Sequence, residues 1–136
     1  MVEDNEGDIL LTKEALEEAK IINSLSVVKD GKEAIDFLSK EGNYKDVDSA
    51  DILLLDINLP KKNGHEVLKF IKGHGNLKHI PVIMLTTSSS EKDIDSSYNN
   101  YANCYITKPV EVNDFLRVIA AIANYWTVIA KLPTKK

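Results

Sequence analysis

The chain has 136 residues, 43% of them hydrophobic and 28% charged, with 17 basic against 21 acidic side chains and a formal net charge of −4. That length suits one domain with its own core, and the acidic balance argues against a nucleic-acid surface, which would show a basic stripe. Cys104 is the single cysteine, which excludes a disulfide framework or a thiolate metal site; with no signal peptide and no bilayer-length apolar run, the expected setting is the cytoplasm, away from any membrane.

Strand and helix patterns alternate along the chain. A strand is expected before Glu3-Asp4, yet only Met1-Val2 stands there. Two residues would leave unpaired backbone beside a central strand, so the sequence is expected to begin inside its first strand. Residues 7–22 set Ile9, Leu10, Ala15, Leu16 and Ala19 among charges, an amphipathic helix pattern. A short strand over 25–28 stops at Asp30-Gly31, a helix over 32–40 follows, and 41–50 is a long polar loop. Strand 52–55 leads through Pro60-Lys61-Lys62-Asn63-Gly64 into a helix over 65–72. Strand 82–85 runs into a hydroxyl-rich loop, with a serine N-cap before a weakly apolar helix over 91–101. Strand 104–106 and a helix from 111 to about 130 complete the order. Such alternation builds a parallel sheet with helices on both faces.

Polar residues punctuate the strand ends. Ile52-Leu53-Leu54-Leu55 ends in Asp56, residues 81–85 end in Thr86, and Cys104-Tyr105-Ile106-Thr107 ends in Lys108; Glu3-Asp4 forms the fourth island. A buried strand tolerates charge only where it leaves the sheet, and in open parallel sheets ligands bind at that carboxyl edge. Carboxylates, a hydroxyl and an ammonium gathered there suit a divalent metal and a phosphoryl group: clustered carboxylates favour a hard cation such as Mg²⁺, and an aspartate can serve as a covalent phosphoryl acceptor. Taken singly, Asp56 could be a strand-end cap, Glu3 and Asp4 could complement a helix dipole, and Lys108 could be an ordinary loop lysine.

In combination these residues carry a family resemblance. Val2-Glu3-Asp4-Asn5, Asp56-Ile57-Asn58-Leu59-Pro60 with Gly64, Leu85-Thr86-Thr87 and Thr107-Lys108-Pro109 stand in order at the strand ends. The chain thereby resembles the receiver domain of two-component response regulators over nearly its whole length. Glu3-Asp4-Asn5-Glu6-Gly7-Asp8, residues 58–62 and residues 103–108 look most like the small stand-alone regulators that serve bacterial phytochromes. The resemblance implies a flavodoxin-like, doubly wound (βα)5 fold with a five-stranded parallel sheet ordered 2-1-3-4-5. It implies a receiver domain over 1–130; residues 131–136 read as a short basic tail expected to be disordered, and no output domain is expected. Asp56 would accept a phosphoryl group from a sensor histidine kinase. Asp4, Asp56 and the backbone carbonyl of Asn58 would hold Mg²⁺, with Glu3 acting through water. Thr86 and Lys108 would bind phosphoryl oxygens, Tyr105 would move with Thr86 as the switch, and the Lys108–Pro109 bond would be cis. Thr87 stands where the family often has Ala or Gly, so with Asn58 it is expected to tune access to Asp56.

Two other readings use similar parts. A Mg²⁺-dependent phosphatase of the haloacid-dehalogenase type also uses an aspartate nucleophile, but it needs a general acid two residues on, where Asn58 stands. A flavin carrier on this fold would meet an acidic edge that repels the cofactor phosphate. Cys104 reads as a small buried hydrophobe, and His65, His74 and His79 as surface residues forming no ligand set. On the last helix Phe115, Ile119, Ile122, Trp126 and Ile129 make a core face, and further apolar residues widen the arc beyond what a core needs. The excess suits either a larger core or, given the family's habits, a homodimer through the fourth helix, fifth strand and fifth helix around Tyr101, Tyr105, Phe115, Tyr125 and Trp126.

Overall fold

All five residues of Val82–Thr86 are buried, as expected of a strand paired on both edges and covered on both faces. In the computed structural model, which describes residues 1–20 and 24–133, this strand (β2) lies between Leu53–Leu55 (β1) and Cys104–Thr107 (β3), parallel to both. Two single-residue parallel bridges, Val2 to Leu55 and Val2 to Val28, extend the sheet beyond β1. Counted in chain order, the five segments stand as 2-1-3-4-5. The backbone around Val2 is fully engaged: its N–H donates to Leu54 O at 2.8 Å, its carbonyl accepts from Asp56 N at 3.2 Å, and Glu3 N donates to Val28 O at 3.0 Å. The strand expected over 25–28 thus reduces to a bridge at Val28, on an edge with one neighbour.

Helices α1 (Glu6–Glu18), α2 (Gly31–Leu38), α3 (Gly64–Lys72), α4 (Glu91–Asn99) and α5 (Val112–Asn124) cover the sheet. Alternation along β2 divides the core. Val82 and Met84 join Leu53, Leu55, Ala34, Leu38, Val67, Leu68 and Ile71 beneath α2 and α3. Ile83 and Leu85 join Ala15, Phe115, Ile119 and Ile122 beneath α1 and α5. Four N-caps are polar side chains bonding the first turn: Asn5 to Asp8 N, Asp30 to Glu33 N, Asn63 to Glu66 N with the reciprocal bond of a capping box, and Ser90 to Asp93 N.

Several expectations need correction. The first helix ends at Glu18; residues 21–22 of the expected span lie outside the described residues, as do 134–136 of the tail. The last α-helix ends at Asn124 and widens into a π-turn over Tyr125–Ile129. The wider turn shifts the following side chains around the axis, so Trp126 is half-buried and Ile129 is exposed rather than core. Phe115 is buried in its own core and offers nothing to a dimer face, whereas Tyr101 and Tyr125 are exposed. Cys104 is half-buried. No peptide bond is cis among the described residues, so Lys108–Pro109 is trans, the intrinsically favoured isomer, and the lysine reaches the sheet edge in that form.

Candidate functional site

The carboxyl edge of the sheet gathers side chains from four segments. Glu3 follows the Val2 bridge, Asp56 follows β1, Thr86 ends β2 and Lys108 follows β3. Glu3, Asp56, Thr86 and Lys108 are all buried, and Asp4 beside them is exposed. Each of Glu3, Asp4 and Asp56 offers a carboxylate oxygen within 4.8 Å of the others. Three converging carboxylate oxygens, one of them on the exposed Asp4, match the demands of a small hard cation that keeps part of its water shell, so the residues present fit a divalent metal.

Lys108 is the hub. Its ammonium donates to Glu3 Oε1, to Asp8 Oδ2 at 2.9 Å and to Asp56 Oδ2 at 3.2 Å. Burial opposes the charge, but the bonds to Glu3 and Asp8 and the charges of Asp56 and Glu3 outweigh it, so its pKa stands above the ordinary lysine value. Burial works the other way on Glu3: helped by the Asp56 charge and only partly offset by Lys108, it pushes that carboxyl up to about 7. The second Glu3 oxygen accepts from Asn5 N at 3.2 Å. Asp56 Oδ1 is held by the backbone that follows it, accepting from Ile57 N at 2.7 Å and Asn58 N at 3.4 Å.

Close packing fixes the loop after Asp56. Gly64 lies so near the strand end that an added Cβ would meet the Asp56 carbonyl oxygen at 2.1 Å, and one on Gly31 would meet Lys62 O at 1.8 Å. Only glycine fits at either position. Lys61, in the same loop, holds a left-handed φ of 67°, uncommon for a side-chain-bearing residue. Asn58 and Thr87 flank the cluster and are exposed.

Thr86 Oγ1 is buried and, among the described residues, has no hydrogen-bond partner. Such a hydroxyl costs about 1–3 kcal/mol and is open to an incoming oxygen. The Thr86 carbonyl accepts Lys108 N at 2.7 Å, tying the hydroxyl-bearing strand to the lysine. Nearby, the Tyr105 hydroxyl donates to Ser88 O at 2.8 Å, and burial raises its pKa.

Two features escaped the sequence reading. Asp8 is a third carboxylate on Lys108; its position in the first turn of α1 was the available signal, but acids there ordinarily serve the helix dipole. His65 is no surface residue: its Nε2 meets Asp93 Oδ1 at 2.9 Å, and Ser88 Oγ donates to Asp93 Oδ2 at 2.6 Å. These bonds, with that of Tyr105, join the start of α3, α4 and the loop after β2.

A doubly wound α/β sheet with carboxylates, a buried lysine and an unpartnered hydroxyl at its carboxyl edge defines a flavodoxin-like protein whose sheet edge fits a divalent cation. The chain belongs to the response regulator receiver domain family, which matches residues 1–120, and this membership sets aside the dehalogenase-type and flavin-carrier readings. It is 40% identical to response regulator Rcp1 of Synechocystis sp. over 133 residues, 98% of this chain and 90% of Rcp1. Among solved structures, it superposes on the phosphorylated cyanobacterial phytochrome response regulator RcpA with a TM-score of 0.95 and 44% identity, covering 98% of this chain and 95% of RcpA. The Mn²⁺-bound form of Rcp1 matches with a TM-score of 0.94 and 40% identity over 98% and 96% of the two chains. Among the described residues no helix is long and apolar enough to cross a membrane.

Proposed function

We propose that this receiver takes a phosphoryl group onto Asp56 from a phosphohistidine of a sensor kinase in a Mg²⁺-dependent reaction. In transfer the P–N bond of the phosphohistidine breaks as a carboxylate oxygen of Asp56 bonds to phosphorus; hydrolysis later gives inorganic phosphate and restores the carboxylate. The observation that carries this reading is the buried, unpartnered Thr86 hydroxyl at the same edge as the Lys108–Asp56 pair.

Phosphoryl transfer depends on positioning and charge neutralisation more than on covalent help. Asp4, Asp56 and the carbonyl of Asn58 would hold Mg²⁺, with Glu3 acting through water, and the cation would neutralise charge on the phosphoryl oxygens. Lys108 turns an N–H from Asp56 Oδ2 to a phosphoryl oxygen. Thr86 gives its free hydroxyl to another, and Tyr105 leaves Ser88 O to follow the space that Thr86 vacates. Asn58 and Thr87, exposed beside the cluster, govern access of water to the phosphoryl group. The protein would catalyse only its own phosphorylation and dephosphorylation, and the signal would leave through protein contacts.

Similarity to RcpA, a phytochrome response regulator, supports a kinase of phytochrome type as the partner; the setting proposed is the cytoplasm. The exposed Tyr98, Tyr101 and Tyr125 support a homodimer through α4, β3 and α5, with Tyr105 and Trp126 at its margins. Intact mass after incubation with acetyl phosphate tests the central claim. Wild type should gain one phosphoryl group only with Mg²⁺, and Asp56→Asn should gain none. A wild type that stays unmodified would refute the proposal.

A further inference from the structure

Lys108 has three N–H donors, and a carboxylate from a different segment takes each: Glu3 after the Val2 bridge, Asp8 on α1 and Asp56 after β1. The reaction proposed above makes demands on two of them. Asp56 must release the lysine when the phosphoryl oxygen arrives, and its bond, at 3.2 Å, is longer than the 2.9 Å bond to Asp8. Glu3 is shared with the acidic cluster. Asp8 belongs to neither task.

Asp8 is also firmly mounted. Its N–H donates to the Asn5 cap at 3.0 Å, and its carbonyl accepts the hydroxyl of Thr12, a fully buried residue, at 2.7 Å. Its side chain is 23% exposed against 5% for Lys108, so this is not one of the solvated surface pairs that contribute little. A flexible lysine stem holds several rotamers of similar energy. One fixed carboxylate that keeps its bond throughout selects the rotamer with the ammonium over Asp56.

We propose that Asp8 is a positioning residue for phosphoryl transfer, anchoring the Lys108 ammonium as its other contacts change. This rests on Asp56 being the acceptor. Asp8 touches neither the phosphoryl group nor Asp56 and acts only through Lys108.

The test compares Asp8→Asn and Asp8→Ala with wild type, each also in a Lys108→Ala background, measuring phosphorylation by acetyl phosphate at saturating Mg²⁺. Asp8→Asn keeps the shape and the backbone bonds, which guards against misfolding. Losing one charge-assisted bond should slow the reaction about tenfold in both variants. In the Lys108→Ala background neither substitution should have further effect. In the metal-free protein, the ¹⁵N signal of the Lys108 ammonium, slow to exchange when held, should broaden or move in Asp8→Asn. A normal rate in Asp8→Ala, or a tenfold loss that persists without Lys108, would overturn the assignment while leaving Asp56 as acceptor. Wild type that never gains a phosphoryl group would overturn both.

Discussion

Replacing Gly64 with alanine tests how tightly the fold holds Asp56. The new Cβ would lie 2.1 Å from the Asp56 carbonyl oxygen, 2.7 Å from Ile57 Cα and 2.9 Å from the Asp56 carbonyl carbon. Moving the first contact from 2.1 Å to the 3.4 Å where ordinary packing begins requires a shift of about 1.3 Å. All three obstacles are backbone, so no side chain can swing aside. The shift would also stretch the bond from Gly64 N to Ile57 O, now 2.8 Å. Overpacking of this kind costs about 3 kcal/mol, less the fraction of a kcal/mol that alanine gains over glycine in a helix. That leaves about 2 kcal/mol, and with a urea slope of about 1.5 kcal/mol per molar the unfolding midpoint should fall by about 1.4 M. A reacting carboxylate displaced by about 1 Å should also lose about a hundredfold in phosphorylation rate. Gly75→Ala is the control, because its added Cβ meets nothing within 4 Å and should change stability by less than about 1 kcal/mol. Urea titration followed by circular dichroism, with the rate read by intact mass, measures both effects. A Gly64→Ala protein that unfolds at the wild-type midpoint and phosphorylates at the wild-type rate would show that the loop is not pinned as described.

Other consequences follow from the site and its supports. Glu3, raised from 4.5 to about 7, holds its proton in the folded chain where the unfolded chain has released it. Its contribution to metal-free stability should therefore be fully present below pH 4.5 and fall as pH rises to 7; thermal melts of wild type against Glu3→Gln isolate it, and parallel curves would refute the burial argument. Binding of Mg²⁺ favours the ionised carboxyl, so the melting-temperature gain from added Mg²⁺ should be larger at pH 8 than at pH 5.5, and Asp4→Asn should abolish most of it. Lys72 donates to Lys78 O at 3.0 Å, Ile80 O at 2.8 Å and Asn103 Oδ1 at 3.1 Å, so Lys72→Met should destabilise by about 1–3 kcal/mol; an unchanged urea midpoint would mean water replaces it freely. Thr87→Ala should shorten the lifetime of the phosphorylated state by opening access to Asp56, and ³²P loss at an equal or slower rate would reject a shielding role for Thr87.

The order of strands and helices and the residues at the strand ends were legible in the sequence, and for one reason. Strands buried on both faces admit charge only where they leave the sheet, so Asp56, Thr86 and Lys108 mark the carboxyl edge even in one dimension. Glycine at 64 was legible as part of a motif, but the contact that demands it, against the Asp56 carbonyl, exists only once α3 packs on β1. The two sheet segments at Val2 and Val28 are single bridges, because pairing is decided by neighbouring backbone rather than by local propensity. The exposure of Ile129 follows from one widened turn at the end of α5, which no apolar period records. Asp8 and His65 carry the same lesson for the site. An acid in a first helical turn or a histidine at a helix start has an adequate local explanation, and only the packed sheet brings residues a hundred positions apart within hydrogen-bond reach. Sequence alone determined which residues stand at the functional edge; tertiary structure decided which of them touch, because contact depends on how the layers close over one another.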